Sequence, residues 1–123
     1  MFDKFQNFYI KEEDIMCIKA DLNLNFIIVA VRYSNFPKIF KYKNNEDLLN
    51  DMKYFKDEEE WTIFDRLNDC IYINSDYLHL FILDKNNDGI ETISFCFRFN
   101  NTVYYLDEIE VDNDIRKFIE DTI

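Results

Sequence analysis

Two periodicities alternate along this chain. Between Ile18 and Phe26 the even positions are Ile, Ala, Leu, Leu and Phe, while Lys19, Asp21, Asn23 and Asn25 occupy the odd ones. That period of two predicts strands with one buried face, joined near Asn23 to Asn25. Phe26 to Tyr33 continues with apolar residues on both faces, and Ser34-Asn35-Phe36-Pro37 marks a turn before Lys38 to Lys43. A three-strand meander is expected. Phe2, Phe5 and Tyr9 recur at helical spacing ahead of Glu12-Glu13-Asp14, so a short amphipathic helix is predicted to open the fold. Asn44 or Asn45 is placed to cap a helix whose stripe is Leu48, Leu49, Met52 and Phe55.

The second half repeats this order. Asp57, Glu58, Glu59 and Glu60 suit the positive end of a helix dipole, and Trp61, Phe64 and Leu67 follow at helical spacing. Cys70 to Ile73 reads as a short strand and Tyr77 to Leu83, apolar on both faces, as a central one. After a turn at Asp84 to Gly89, Ile93, Phe95, Phe97 and Phe99 alternate with smaller or polar residues. Asn100-Asn101 predicts a two-residue hairpin, because Asn tolerates positive φ, and Thr102 to Val111 is the returning strand. Asp112 or Asn113 caps a last helix with Ile115, Phe118, Ile119 and Ile123 on its buried stripe. The expected class is α+β, with largely antiparallel sheets in two meanders and the order α-βββ-α-α-βββ-α. No residue-level repeat accompanies the repeated order, and such an architecture hosts many unrelated functions.

Composition narrows the classes. With 123 residues, 48% of them hydrophobic, one compact domain spanning 1–123 is expected. The net charge is −11, which repels a phosphate backbone or an anionic membrane at long range. Neither is expected as a direct partner. The charge is also unevenly placed: residues 1–56 carry nine basic against eight acidic side chains, and residues 57–123 five against seventeen. A near-neutral sub-unit joined to an acidic one sets up a directed field. Solubility of a chain that is 18% aromatic is the plainer use of the same charges.

One Gly, one Pro and one His remove the residues that phosphate loops, nucleophile elbows and most metal clusters need. No cofactor or metal is expected, nor an enzyme. The longest apolar run, Phe26 to Val31, is far short of a spanning helix, and the opening residues lack the apolar block of a secretory signal. A cytoplasmic protein is expected. Cys17, Cys70 and Cys96 are odd in number and widely spaced, which predicts buried reduced thiols. The excess of Asn, Ile, Lys and Phe over Ala, Gly, Pro and Arg fits the AT-rich coding of a low-GC bacterium or its mobile elements.

Three motifs carry candidate chemistry. Asp84-Lys85-Asn86-Asn87-Asp88-Gly89 matches the start of a calcium loop, but position 12 is Phe95 and the flanks read as strands, so a hairpin turn explains it better. His79 alternates with Tyr77 and Phe81, which places it on a core or half-buried face as a structural histidine. Asp107, Glu108, Glu110, Asp112 and Asp114 are the third motif. In extended chain the alternating acids would project about 6.8 Å apart, near the repeat of phosphates along a strand. Sheet-edge protection and helix capping account for the same residues singly. Glu120 and Asp121 would extend the surface, and Trp61, Tyr104 and Tyr105 are candidate aromatic anchors beside it.

The expectation that follows is a non-enzymatic inhibitor, encoded by a phage or other mobile element. Its acidic half, including Asp57 to Glu60, would fill the basic nucleic-acid groove of a host defence effector in an anti-CRISPR or anti-restriction role. An immunity protein neutralising a basic nuclease toxin uses the same physics. Two further classes are a metal-dependent enzyme built on Asp107, Glu108 or Glu110, and a self-associating subunit of a virus particle.

Overall fold

The computed structural model describes residues 1–52 and 61–123. Its elements are β1 (Phe2–Phe5), β2 (Phe8–Lys11), a 3-10 turn (Glu12–Asp14), β3 (Ile15–Asp21), β4 (Phe26–Val31), β5 (Lys38–Lys41) and α1 (Asn45–Met52). Then come β6 (Trp61–Asp65), β7 (Asp69–Asn74), β8 (Leu78–Lys85), β9 (Glu91–Phe99), β10 (Thr102–Glu110) and α2 (Asn113–Thr122). The described strands form antiparallel pairs in three sheets, ordered β1-β2, β5-β4-β3-β7-β6 and β10-β9-β8. The α+β class with largely antiparallel sheets holds.

The five-stranded sheet is apolar on both faces. Ile18, Val29 and Tyr72 are register neighbours on one side, and Cys17, Ala30 and Ile73 on the other. Each side has its own buried cluster. The first gathers Ile18, Ala20, Ile27, Val29 and Tyr72 with Phe5 and Ile10 of the hairpin and Leu48 and Met52 of α1. The second packs Met16, Cys17, Ile71 and Ile73 against Phe95 and Phe97 of β9 and Ile115 and Ile119 of α2. At roughly 1.5–3 kcal/mol per large side chain removed from water, neither face of such a sheet can be left bare. A bulge between Ile15 and Cys17 buries Met16 and Cys17 in succession on the second side.

The predicted element order differs from the structure in three places. Phe2, Phe5 and Tyr9 lie in a hairpin rather than a helix: Gln6 takes a positive φ of 54° and the chain reverses. Phe5 is fully buried while Phe2 and Tyr9 are 57% and 64% exposed, so the three never share a face. A short apolar run is ambiguous between the two periods, and the inward set here is Asp3, Phe5 and Ile10. Residues 57–60 and Phe55, assigned to helices from sequence, lie outside the described residues. Trp61 to Asp65 is strand, with Trp61 in the first cluster and Phe64 in the second. Finally, β6 and β7 join the first-half strands through β7 beside β3, so the order among the described residues is ββ-βββ-α-ββ-βββ-α.

The meanders β3-β4-β5 and β8-β9-β10 lie where the patterning puts them, and so do their turns. Asp21 Oδ1 accepts from the amides of Asn23 and Leu24, and Asn25 and Asn100 supply positive φ. Asn44 Oδ1 accepts from Asp47 N at 2.9 Å and Asp112 Oδ1 from Ile115 N at 2.9 Å, capping the two helices as expected. Ile123 is exposed and adds nothing to the stripe of α2. All three cysteines are buried and reduced, and burial raises the Cys17 thiol well above its ordinary pKa.

Two arginines clasp the layers at opposite ends of β3. Arg32 Nε bonds Asp14 at 2.7 Å, its guanidinium lies 4.9 Å from the Phe99 ring centroid, and Nη1 reaches Tyr77 Oη at 3.4 Å. Arg66 is bidentate to Asp69, at 2.6 and 3.0 Å, and also donates to the Glu110 carbonyl. Each therefore joins the five-stranded sheet to the three-stranded one. Replacing Arg66 by Ala should cost about 1.5–3 kcal/mol of unfolding free energy, the range for hydrogen bonds to charged groups. Chemical denaturation measures it, and Lys at 66 should recover only part of the loss because it lacks the planar fork.

Asp3 faces inward with Phe5 and Ile10. It is 6% exposed and its Oδ2 meets no donor. Burial, and then the nearby Glu12, push its pKa up to about 6. A proton is thus held more tightly in the folded state than in the unfolded chain, near 3.8. The folded state gains from this below that unfolded value, and the gain is lost as pH rises through about 6. Asp3→Asn should therefore stabilise the protein at pH 7 by about 1–2 kcal/mol after solvent screening, with the difference shrinking toward acid. Melting temperatures of both proteins across that range are the check.

Candidate partner-binding face

The three-stranded sheet buries one face and exposes the other. Ile93, Phe95 and Phe97 point into the second cluster, so Thr92, Ser94, Cys96 and Arg98 point outward. Register places Leu80, Ile82 and Asp84 of β8 beside them on one side and Val103, Tyr105 and Glu110 of β10 on the other. Leu80, Ile82 and Tyr105 are 40%, 50% and 48% exposed, an apolar strip on an otherwise solvated surface. Cys96 lies beneath it, buried.

At one end of this strip the sheet forms a trough. A bulge in β10 between Leu106 and Ile109 turns Asp107 and Glu108 outward together, with Glu108 at φ 54° and its amide donating to Ser94 Oγ at 3.1 Å. Ile82, Asp84 and Lys85 form the facing wall, and Thr92 and Ser94 the floor, of a cleft of about 820 Å³. No described ion pair neutralises Asp84, Asp107 or Glu108. Lys85 is the cation lining the cleft.

The expected row of alternating acids is divided in two. Glu108, Glu110, Asp112 and Asp114 would project in line only from continuous extended chain, and the bulge, the end of β10 and the start of α2 interrupt it. Asp107 and Glu108 face the trough. Glu110 and Asp112 line a separate cleft of about 350 Å³ with Arg66, whose Nη1 lies 3.8 Å from Asp112 Oδ2. Asp112 is also occupied as the helix cap, and Asp114 is exposed in the first turn of α2. Asp57, Glu58, Glu59 and Glu60 lie outside the described residues.

The aromatic candidates separate as well. Trp61 is 8% exposed in the first cluster, on the face of the central sheet turned away from the second sheet. Tyr104 packs half-buried against the second cluster, and burial pushes its pKa up to about 12. Tyr105 alone lies on the outer face. His79 is exposed at a bulge in β8 rather than in a core, because β8 is an edge strand and not a central one. Asp84 to Gly89 forms a hairpin turn in which Asn86 Oδ1 accepts from the amides of Asp88 and Ile90, and Gly89 has a φ of 78°. Among the described residues no three His, Cys, Asp or Glu side chains group closely enough to hold a metal ion.

Sequence reasoning missed Asp84 as a partner of Asp107 and Glu108. The available signal was the spacing Leu106-Asp107-Glu108-Ile109, in which two polar residues separate two inward ones and break the period of two. It also missed the outer face of the opening hairpin, where Lys4 lies over Tyr9 and Lys11 over Phe2, each 5.9 Å from the ring centroid. No described helix is long and apolar enough to cross a membrane.

Compared with protein-family models, curated proteins and solved structures, the chain finds no match. Its site must be tested on its own geometry. Glu108→Gly should keep or raise the melting temperature, since Gly adopts positive φ freely, whereas Glu108→Val should lower it because a β-branched residue is strained there. Thermal unfolding of the two variants reads the bulge directly.

Proposed function

We propose that this protein is a non-enzymatic binding protein that fills the basic, nucleic-acid-binding groove of another protein with the outer face of its three-stranded sheet. The observation that carries this reading is the convergence of Asp84, Asp107 and Glu108 on one open trough beside the exposed strip Leu80, Ile82 and Tyr105. Apolar side chains rimmed by unpaired charge are the composition of a specific interface. Three carboxylates lining one open cleft with a single lysine attract a cationic surface. A nuclease of a host defence system, in an anti-CRISPR or anti-restriction setting, supplies such a groove, and so does a nuclease toxin met by an immunity protein. The inhibition would be steric, with electrostatic steering setting the rate of encounter.

The test is binding and inhibition of purified nucleases with basic grooves. The expected association slows as salt rises and is competed by nucleic acid. The variant Asp84→Asn with Asp107→Asn and Glu108→Gln should slow association roughly tenfold while leaving melting temperature near the parent's. Asp112 is unsuited to such a test, since its loss removes a helix cap. Binding that is indifferent to salt, to nucleic acid and to the triple variant contradicts the reading.

A further inference from the structure

The same sheet has an edge that no described element covers. β8 is the last strand in the order β10-β9-β8, and its eight residues run Leu-His-Leu-Phe-Ile-Leu-Asp-Lys. Asn86 N bonds the Ile90 carbonyl, and the alternation that follows down the ladder turns the N–H and C=O groups of Phe81 and Leu83 away from β9. The opposite edge of this sheet is tied down. Val103 N on β10 donates to Asn35 Oδ1 at 3.0 Å, and the Glu110 carbonyl accepts from Arg66. An uncovered row of strand donors and acceptors is a template for another strand.

Resting on the reading of the trough as a surface for a basic partner, we infer that β8 receives an extended basic segment of that partner as an added antiparallel or parallel strand. Backbone hydrogen bonds from Phe81 and Leu83 would hold it. Its side chains would alternate between the faces, the cationic ones lying on the outer face with their stems over Leu80 and Ile82 and their charges toward Asp84, the apolar ones on the inner face beside Phe81 and Leu83. Charge selects this occupant over a second copy of the chain, because two molecules of net charge −11 would bring Asp84 of each into the same joint. The bulge at His79 limits the template to the segment after it, so a short strand is recognised.

A ten-residue peptide of alternating Lys and Val is the probe, with a control of equal charge interrupted by proline. The alternating peptide should bind at least tenfold more tightly than the control, more weakly as salt rises, and should slow hydrogen exchange at the amides of Phe81 and Leu83. Leu83→Pro removes only an outward N–H and should lose that tenfold advantage. If the substitution unfolds the protein, the exchange data on the parent decide. Equal binding of the two peptides, or protection elsewhere, overturns strand addition while leaving the acidic trough as a binding surface. Absence of binding by either peptide at low ionic strength overturns both. A dimer of the free protein that Leu83→Pro dissociates would assign the edge to a second copy and overturn the inference.

Discussion

Burial of the central sheet on both faces is the constraint from which the rest follows. β3 sends Ile18 and Ala20 to one cluster and Met16 and Cys17 to the other, and β4 and β7 do the same. A chain of 123 residues has few elements with which to cover two faces. The opening hairpin and α1 cover one, and the three-stranded sheet with α2 covers the other. That second layer spends its apolar face inward, on Ile93, Phe95 and Phe97, and so turns a whole sheet face to solvent. The described acidic side chains of the later segment lie at the periphery because a carboxylate cannot be desolvated without a partner. Asp3, in the opening hairpin, is the buried carboxylate among the described residues, and its raised pKa records the cost.

The few cations of the acidic half sharpen the asymmetry. Arg66 is committed to Asp69 and lies near Asp112, and Arg116 pairs with Glu91 to hold α2 against β9. These pairs are structural. Their carboxylates are the ones that clasp layers together, whereas Asp84, Asp107 and Glu108 have no such duty. The trough thus carries a field that the fold does not itself consume.

Strands with strict alternation and turns rich in Asn were legible from the residues. β9 with Phe95 and Phe97 inward, the Asn100 hairpin and the Asp112 cap all follow from local chemistry. Pairing between distant strands was not legible. That β7 lies beside β3 depends on which two-faced strands share a sheet, and Ile71 and Ile73 look the same in any partner's company. Short aromatic runs misled for a related reason: Phe2, Phe5 and Tyr9 satisfy a helical spacing, and only the buried neighbours of Phe5 decide between the periods. β8 was read as central because apolar residues on both faces imply two covering layers, yet Leu80 and Ile82 are left exposed. The acids were legible as a set but not as a surface, since one bulge residue at Glu108 redirects half of them.

Native-state hydrogen exchange of the free protein tests both the buried sheet and the open edge at once. Amides of Ile18 and Ala20 in β3 should exchange only through global unfolding, while those of Phe81 and Leu83 in β8 exchange orders of magnitude faster. Equal protection of β8 and β3 would mean that the edge is already covered, and β8 would then have no free edge to offer a partner strand.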